Sequence, residues 1–291
     1  MAGISDVEGR RPLLLAPLRG VTGRCFRETF ADEIAQAGFT EAVTPFITAN
    51  AGFDPLKGTG LRPTSPMPTT PQFIGKDPEA LRSALLRIRD AGFGTADLNC
   101  GCPFPMVRNK GRGSGLLRTP DILRRMLDAG CATMGEGRFS VKARLGVERP
   151  DELLALMPLL NCYPLRFLAV HARTARQMYG GEPDRAAFLR IAECAKMPLV
   201  YNGDAGVADD PAPAAGLMVG RAFVRSLGEG DGAGERLDRY IEASRRELSG
   251  ERPVLGRMKE LVSYWKDLPR WKRLWPLMKL ARTLGEFRVW R

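Results

Sequence analysis

The sequence predicts an α/β fold: a closed (β/α)8 TIM barrel followed by a small C-terminal helical domain. Eight short apolar runs, each suited to a buried parallel strand, occur between residues 13 and 221, and most are followed by a helical pattern. With 291 residues and 44% hydrophobic side chains, the chain is large enough to bury the core of such a barrel. Beyond a linker rich in Gly, Asp and Glu at 228–234, the pattern becomes helical and basic. We therefore assign residues 1–227 to the barrel and residues 235–291 to the helical domain.

The eight predicted strands are short and are bounded by Gly, Pro or polar turn residues. In chain order they are Leu13–Leu18, Glu41–Ile47, Gln72–Gly75, Thr95–Leu98, Phe139–Leu145, Phe167–His171, Pro198–Tyr201 and Gly216–Arg221. The helices between them follow from apolar spacing, the first ending at Gly38 and another running from Ala186 to Ala195. Three begin at a capping residue or a proline, at Asp77-Pro78, Thr119-Pro120 and Pro150-Asp151.

Two connections depart from this regular alternation. The stretch 48–70 is long and rich in Gly, Pro and Thr, and loops of that length in compact domains are usually functional or mobile. Between Asn202 and Gly216 there are only thirteen residues, broken by Pro211 and Pro213. That segment is too short for a normal helix, so we expect the seventh crossover to be truncated.

The charge balance points to an anionic partner. The formal net charge is +11 and the pI is about 9.7, an excess that an enzyme of small metabolites does not need. Nucleic acid is the first expectation, and the alternative is a solvated basic surface. All four tryptophans lie in the basic tail, at 265, 271, 275 and 290. Aromatic residues among basic ones suit RNA, but the tryptophans can equally form the core of a small helical unit.

Cysteine usage and the N-terminus suggest a cytoplasmic protein with reduced thiols. The six cysteines are scattered apart from one close pair, and the chain has a single histidine, so we expect no metal site. Residues 1–11 are polar and charged without an apolar targeting core, and we find no apolar run long enough to cross a membrane. We expect a monomer that does not associate with membranes.

The most informative stretch is Asp97-Leu98-Asn99-Cys100-Gly101-Cys102-Pro103, which reads as a strand running into a tight turn. It delivers one amide and two thiols to the carboxyl end of a strand, where barrel enzymes have their active sites. The basic, glycine-rich segment 110–115 follows, although it does not match a dinucleotide fingerprint. Together they indicate a reaction centre for an anionic partner. Geometry alone does not choose between Cys100 and Cys102.

Other strand ends carry polar groups on otherwise apolar runs. They are Lys142, Arg144, His171, Arg173, Asn202, Gly203, Asp204, Gly220 and Arg221. Gly203 and Gly220 follow strands seven and eight, the usual phosphate site of barrels, and Arg221 adds a forked donor. Lys142 would be buried, so it either forms a Schiff base or neutralises a cofactor that becomes anionic on reduction.

The chain resembles the tRNA-dihydrouridine synthases, flavin enzymes that reduce uridine in tRNA. Besides the stretch 97–103, the matching motifs are Ala16-Pro17-Leu18-Arg19-Gly20-Val21-Thr22, Gln72-Phe73-Ile74-Gly75, Val141-Lys142-Ala143-Arg144, His171-Ala172-Arg173-Thr174, Asn202-Gly203-Asp204 and Met218-Val219-Gly220-Arg221. They cover residues 13 to about 225 in the family's order. The resemblance implies reduction of the C5–C6 double bond of specific uridines in tRNA to 5,6-dihydrouridine, with FMN as bound cofactor and NADPH as reductant.

The resemblance also implies residue roles. The flavin ring would be lined by residues of the first and third strands, Ala16, Pro17, Leu18 and Gln72. The ribityl phosphate would be held at strands seven and eight, by Asn202, Gly203, Asp204, Gly220 and Arg221. Lys142 and His171 would lie at the polar edge of the ring. Cys102 would donate the proton, Asn99 would position the uracil, and Arg173 would contact phosphate or RNA. The basic tail is similar to the family's tRNA-binding domain.

The chain departs from the family pattern at four places. Gly23 stands where Asp is usual, Thr44-Pro45 replaces a Thr-Glu pair, and Ala172 replaces a common Gly. The shortened segment 205–215 lies near the expected phosphate site, where it would weaken FMN binding or rebuild the loop. Two alternatives therefore stay open: a catalytically inactive paralogue that binds tRNA, and a Schiff-base lyase that uses Lys142.

Overall fold

The computed structural model describes residues 11–63 and 67–290, and its strands form a closed parallel barrel. Every strand pair is parallel. The described strand segments are β1 Leu13–Leu15, β2 Glu41–Val43, β3 Ile47–Thr48, β4 Thr69–Thr70, β5 Gln72–Ile74, β6 Ala96–Cys100, β7 Phe139–Gly146, β8 Leu168–Thr174, β9 Leu199–Asn202 and β10 Gly216–Val219. The expected absence of a targeting core concerns residues 1–11, of which 1–10 lie outside the described residues.

Ten segments make eight strands because prolines interrupt two of them. Pro45 and Pro71 have no N–H for the ladder, so β2 and β3 are parts of one strand and β4 and β5 of the next. Near the second break, the Gln72 N–H donates instead to Thr44 Oγ1 at 3.0 Å. β2 pairs with β4 and β3 with β5, which joins the two ends of the sheet order β3-β5-β6-β7-β8-β9-β10-β1-β2-β4. The predicted (β/α)8 fold is confirmed.

Helices surround the barrel and continue into the tail. They are α1 Arg24–Thr29, α2 Ala31–Gln36, α3 Pro78–Asp90, α4 Pro105–Arg108, a 3-10 helix Gly113–Arg118, α5 Pro120–Met134, α6 Glu152–Leu160, α7 Arg185–Cys194, α8 Arg221–Ser226, α9 Ala233–Glu247, α10 Glu251–Ser263, α11 Pro269–Leu280 and α12 Leu284–Phe287. The segment 203–215 contains no helix, so the truncated seventh crossover is confirmed.

The helices begin at the expected positions, but only some of the expected capping hydrogen bonds form. Asp77 Oδ1 accepts from the N–H groups of Glu79 at 3.0 Å and Ala80 at 3.3 Å, which is the predicted cap. Thr119 precedes α5 but makes no capping bond, because its hydroxyl donates to Leu116 O at 3.3 Å. The first helical stretch is two short helices, which meet at Phe30.

The barrel interior is filled near its amino end, which leaves the carboxyl end open. An apolar cluster inside the barrel consists of Leu14, Ala16, Val43, Phe167, Ala169, Val200 and Met218. Below it, Arg166 forms a two-pronged ion pair with Glu41, with N–O distances of 2.7 and 2.6 Å. Thr70 donates a further hydrogen bond to Glu41. These contacts close the bottom, so that any site must lie at the opposite mouth.

The tail packs against the barrel through its aromatic residues. Trp265 and Trp271 are fully buried, and their indole N–H groups each donate at 2.7 Å, to the carbonyl oxygens of Val224 and Gly228. Tyr240 packs on α1, and the tail belongs to the same hydrophobic cluster as the outer barrel. These two tryptophans are therefore core residues. The linker is shorter than expected because α9 begins at 233, and the division into two domains stays a prediction.

Candidate active site

A cavity of about 970 Å³ opens at the carboxyl ends of the barrel strands. Nearly all of the residues that the sequence singled out line it: Ala16, Pro17, Leu18, Asn99, Cys102, Lys142, His171, Asn202, Gly203, Asp204, Gly220 and Arg221. Gln72 and Arg173 do not line it. The topology explains the convergence, because the ends of parallel strands meet at one mouth of a closed barrel.

The structure separates the two thiols. Cys100 is the last residue of β6 and is fully buried, whereas Cys102 is 6% exposed and lines the cavity. Burial raises the pKa of the Cys102 thiol above its usual range, partly offset by the nearby charges of Arg144 and Arg19. Cys102 is therefore a protonated thiol at neutral pH that faces the cavity, and Cys100 is a packing residue.

A side-chain amide holds the turn that presents Cys102. Asn99 Oδ1 accepts from the N–H groups of Gly101 at 3.1 Å and Cys102 at 2.8 Å. On the other side, the hydroxyl and the N–H of Ser114 both donate to Cys102 O, at 2.9 and 3.2 Å. A Cβ at Gly113 would lie 2.8 Å from the Cβ of Cys102, and φ there is +59°. Part of the glycine-rich segment thus serves close packing behind the thiol.

Gln72 lies beneath the cavity in a buried hydrogen-bonded chain. Its Nε2 donates to Asp97 Oδ1 at 2.7 Å, and its Oε1 accepts from Asn99 Nδ2 at 2.7 Å. Ser140 Oγ donates to the other Asp97 oxygen at 2.7 Å. Burial raises the pKa of Asp97 to about 6, against the lowering effect of the bonds from Ser140 and Gln72. Gln72 is linked to the cavity by its hydrogen bond with Asn99.

Lys142 is half-buried, and one amide holds its side chain. Its Nζ donates to Asn202 Oδ1 at 2.8 Å, and Asn202 Nδ2 donates in turn to Met218 O at 2.7 Å. Burial, together with the neighbouring charge of Arg144, lowers the pKa of Lys142 to about 7. The charge of Asp97 offsets this lowering only in part, and an anionic ligand would stabilise the protonated form of Lys142.

His171 is neutral. Burial first, then the charges of Arg144, Lys142, Arg173 and Arg221, lower its pKa well below the usual value. Arg173 Nη1 lies 3.3 Å from His171 Nε2. Because a guanidinium can only donate, Nε2 is the acceptor and the ring proton is on Nδ1.

Arg173 is a structural clamp. It is 1% exposed, and its guanidinium donates to Gly181 O at 2.6 Å and to Gly180 O at 3.2 Å. It also forms an ion pair with Asp204, which pairs with Arg221 as well. The Asp204 carboxylate is therefore balanced by two guanidinium groups. Arg173 ties the loop after β8 to the loop after β9.

The shortened segment 205–215 is rebuilt as compact turns. Asp209 Oδ2 accepts from the Gly206 N–H at 3.0 Å, and Asp210 Oδ1 accepts from the Ala212 N–H at 2.9 Å. Arg185 donates to Ala212 O at 2.7 Å. The cavity wall continues into this segment through Ala205, so the short crossover leaves no gap at the site.

Several cavity residues were missed at the sequence level. Tyr179, which lies just before two glycines, is 44% exposed. The guanidinium carbons of Arg221 and Arg144 lie 4.7 and 5.3 Å from the centroid of its ring. The aromatic residue in a glycine-rich loop after a strand end was the available signal. Glu260 of α10 and Tyr264, which directly follows that helix, also line the cavity. No local sequence pattern predicts that they line the cavity, because their contact with the barrel joins distant parts of the chain.

The described ranges 11–63 and 67–290 contain no cluster of three or more His, Cys, Asp or Glu side chains that could hold a metal ion. No helix within the same ranges is long and apolar enough to cross a membrane.

The sequence model of the dihydrouridine synthase (Dus) family matches residues 14–226. The chain belongs to the dihydrouridine synthase family. A probable tRNA-dihydrouridine synthase of Rhodobacter capsulatus is 29% identical over 72% of this chain and 67% of the relative. A tRNA-dihydrouridine(16) synthase of Ralstonia nicotianae is 30% identical over 68% of this chain and 63% of the relative. A tRNA-dihydrouridine synthase B of Pseudomonas aeruginosa is 30% identical over 66% of this chain and 58% of the relative.

The matched region thus spans no more than about two thirds of the length of these three relatives. Solved structures show the same fold. An old yellow enzyme homologue from Zymomonas mobilis gives a TM-score of 0.53 at 13% identity, covering 77% of this chain and 88% of that one. Morphinone reductase gives 0.52 at 12% identity, covering 74% and 83%. At these identities the likeness shows the fold alone.

Proposed function

We propose that this protein reduces the C5–C6 double bond of specific uridines in tRNA to 5,6-dihydrouridine, with FMN as bound cofactor and NADPH as reductant. The observation that carries the proposal is the cavity thiol of Cys102, held by Asn99 at a strand end in a chain that belongs to the dihydrouridine synthase family. The relatives are named for tRNA-dihydrouridine synthesis.

The residues present fit FMN. The cavity volume of about 970 Å³ lies at the upper end of the range for cofactor sites, and its wall contains Lys142 and Arg221. Gly220 permits close packing at the cavity wall, because a Cβ there would lie 2.9 Å from the Cβ of Ala16. A phosphate between β9 and β10 would pair with Arg221. Asp204 would serve through its backbone, since its carboxylate repels an anion.

FMN, when bound, supplies the hydride for the substrate double bond. Ala16, Pro17 and Leu18 offer the wall for its ring, with Lys142 and His171 at the polar edge. The Lys142 ammonium is the group best placed to balance negative charge on a reduced cofactor, because an anion nearby reverses the effect of burial on its pKa. Asn202, Gly203 and Gly220 complete the polar end of the site.

Cys102 supplies the proton. Its raised pKa keeps the thiol protonated at neutral pH, and the Asn99 turn fixes its position against the cavity. Asn99 Nδ2 carries two hydrogens, of which one is used on Gln72. The second is available to a uracil carbonyl oxygen, so that one amide positions both the acid and its substrate.

The basic tail supplies the tRNA contact. Eight exposed tail cations have no ion-pair partner within the described part of the chain: Arg246, Arg252, Lys266, Arg270, Lys272, Arg273, Lys279 and Arg282. Phosphate contacts of this kind are independent of sequence and weaken with salt. They offset the few kcal/mol that unstacking the target base costs. A monomeric state, a cytoplasmic location and the preference for NADPH stay predictions.

The purified protein tests the proposal directly. It should be yellow from bound flavin, and deletion of its gene should remove dihydrouridine from a defined tRNA position. A colourless protein that still binds tRNA in a salt-dependent way would contradict the proposal and support the inactive paralogue. Trapping of a carbonyl substrate on Lys142 by borohydride would support the lyase.

A further inference from the structure

A second, smaller groove lies beside the active-site cavity. This side groove has a volume of about 380 Å³ and is lined by Pro45, Phe46, Ile47, Thr48, Asn50, Phe53 and Thr59. Most of these residues belong to the long connection 48–70, which is longer than a plain loop requires and has no part in the roles above. Phe46 lines both spaces, so the side groove and the active-site cavity share a wall.

The side groove presents flat aromatic and guanidinium surfaces. Phe53 is 39% exposed, so its ring is accessible to a ligand. Phe46 is half-buried, and the Arg19 guanidinium lies over its ring at 5.5 Å from the centroid. Unpaired RNA bases stack on such rings and guanidinium planes, whereas an aliphatic ligand gains nothing from the cation.

The charge around the side groove complements a phosphate. Arg112 reaches its edge, where its guanidinium donates to Asn50 Oδ1 at 3.3 Å. Arg19 forms no ion pair with the described residues. Asp54 is the single acidic residue of the connection 48–70, and it is occupied by Arg87 at 3.8 Å and by the Leu56 N–H at 3.0 Å. The groove therefore combines stacking surfaces with two available cations.

We propose that the side groove binds the tRNA nucleotide next to the target uridine. The base stacks on Phe53 and Phe46, and the phosphate lies near Arg19 and Arg112. The inference rests on the proposed function: a uridine that leaves the stack to enter the cavity deprives its neighbour of a stacking partner. A groove that shares a wall with the cavity replaces that partner and holds the strand open.

A nicotinamide coenzyme suits the side groove less well. Its pyrophosphate needs closely spaced backbone N–H groups, usually from a glycine-rich turn at the start of a helix. The lining of the groove, within the described residues, contains no glycine. The coenzyme is therefore an outcome of the test rather than the expected occupant.

The first experiment compares Phe53→Ala with Leu56→Ala as a matched control. Leu56 lies in the same connection, is 36% exposed and lines neither space. For an unmodified tRNA transcript, loss of one stacking surface should raise the Kd of the Phe53→Ala protein about five- to 150-fold. The control should change it less than about twofold, with flavin content and circular dichroism unchanged in both. An unchanged Kd for Phe53→Ala overturns the proposal.

The second experiment removes the base instead of the ring. Transcripts carry an abasic nucleotide on the 5′ or the 3′ side of the reduced uridine. One of the two should weaken binding to the wild-type protein and have no further effect on Phe53→Ala. An equal loss of tRNA affinity in the wild type and in Phe53→Ala contradicts the proposal. So does a Phe53→Ala protein whose KM for NADPH is raised while its affinity for tRNA is unchanged. A wild-type protein that reduces no uridine refutes the proposed function, whereas an active wild-type protein with an unaffected Phe53→Ala variant refutes only the side-groove assignment.

Discussion

Replacing Gln72 by leucine tests the hydrogen-bonded chain that supports Cys102. Gln72 is fully buried, donates to Asp97 Oδ1 and accepts from Asn99 Nδ2, both at 2.7 Å. Leucine is close to glutamine in size, so the substitution removes both bonds without opening a large cavity. It leaves one carboxylate oxygen and one amide N–H buried without these partners.

The cost follows from those two groups. A buried polar group that loses its partner costs about 1–3 kcal/mol, and a charged one costs more. Gln72→Leu should therefore lower the free energy of unfolding by about 2–6 kcal/mol, a large part of the 5–15 kcal/mol typical of a domain. The released Asn99 should also hold the Cys102 turn less firmly.

Urea unfolding at pH 7 measures the first effect, and the rate of Cys102 alkylation, resolved by peptide mass spectrometry, measures the second. Asp97→Asn is the matched control, because its amide retains a bond to Gln72 and one to Ser140. A Gln72→Leu protein within about 1 kcal/mol of the wild type, with unchanged alkylation, would refute the supporting role of the chain.

The stability of the Asp97→Asn control, relative to the wild type, should depend on pH. The folded pKa of Asp97, about 6, lies above the ordinary aspartate pKa of 3.8, so between these values the folded protein holds a proton that the unfolded chain has lost. Stability from this group is complete below pH 4 and decreases as pH rises to 6, by about 3 kcal/mol. Asp97→Asn lacks this loss, so its stability relative to the wild type should increase over that interval. A difference that is constant with pH would contradict the assignment.

Three further outcomes are expected. Gly113→Ala should lower the melting temperature more than Gly111→Ala, because both have positive φ but only the first would meet backbone and Cβ atoms of the Cys102 turn. Glu41→Leu should cost about 3–5 kcal/mol in urea unfolding by leaving the Arg166 charge buried, and a loss below 1 kcal/mol would contradict this. Lys142→Met should raise the melting temperature of the cofactor-free protein, since burial disfavours the ammonium, and it should weaken FMN binding. A variant with a lower melting temperature and weaker FMN binding would count against this reasoning.

The barrel was predictable because its signals are local. Asp77-Pro78 marks a helix start, and continuous apolar runs mark strands buried on both faces. The closed topology then brings distant strand ends together, which is why Cys102, Lys142 and Arg221 were placed at one site. The length of β8 was underestimated, since the strand runs three residues past His171. Arg173 can lie within it because loop carbonyl oxygens and Asp204 balance its charge.

Long-range partners explain the remaining differences. The sequence does not show that the Gln72 amide is taken up by Asp97 and Asn99, because those contacts join neighbouring strands in a register that only the fold sets. Glu260 reaches the site across the tail interface, which no motif encodes. The residues alone did not separate Cys100 from Cys102: the family resemblance chose Cys102, and the end of β6 at Cys100 supplies the physical reason.

Dihydrouridine formation by the reconstituted protein tests the central claim most directly. Unmodified tRNA is incubated with FMN-loaded protein and NADPH, and its dihydrouridine content is measured by mass spectrometry. The account predicts product with the wild type and with Cys100→Ala, and a severe loss of rate with Cys102→Ala although FMN remains bound. Wild-type rates from Cys102→Ala, or no product from a wild-type protein that holds FMN, would contradict it.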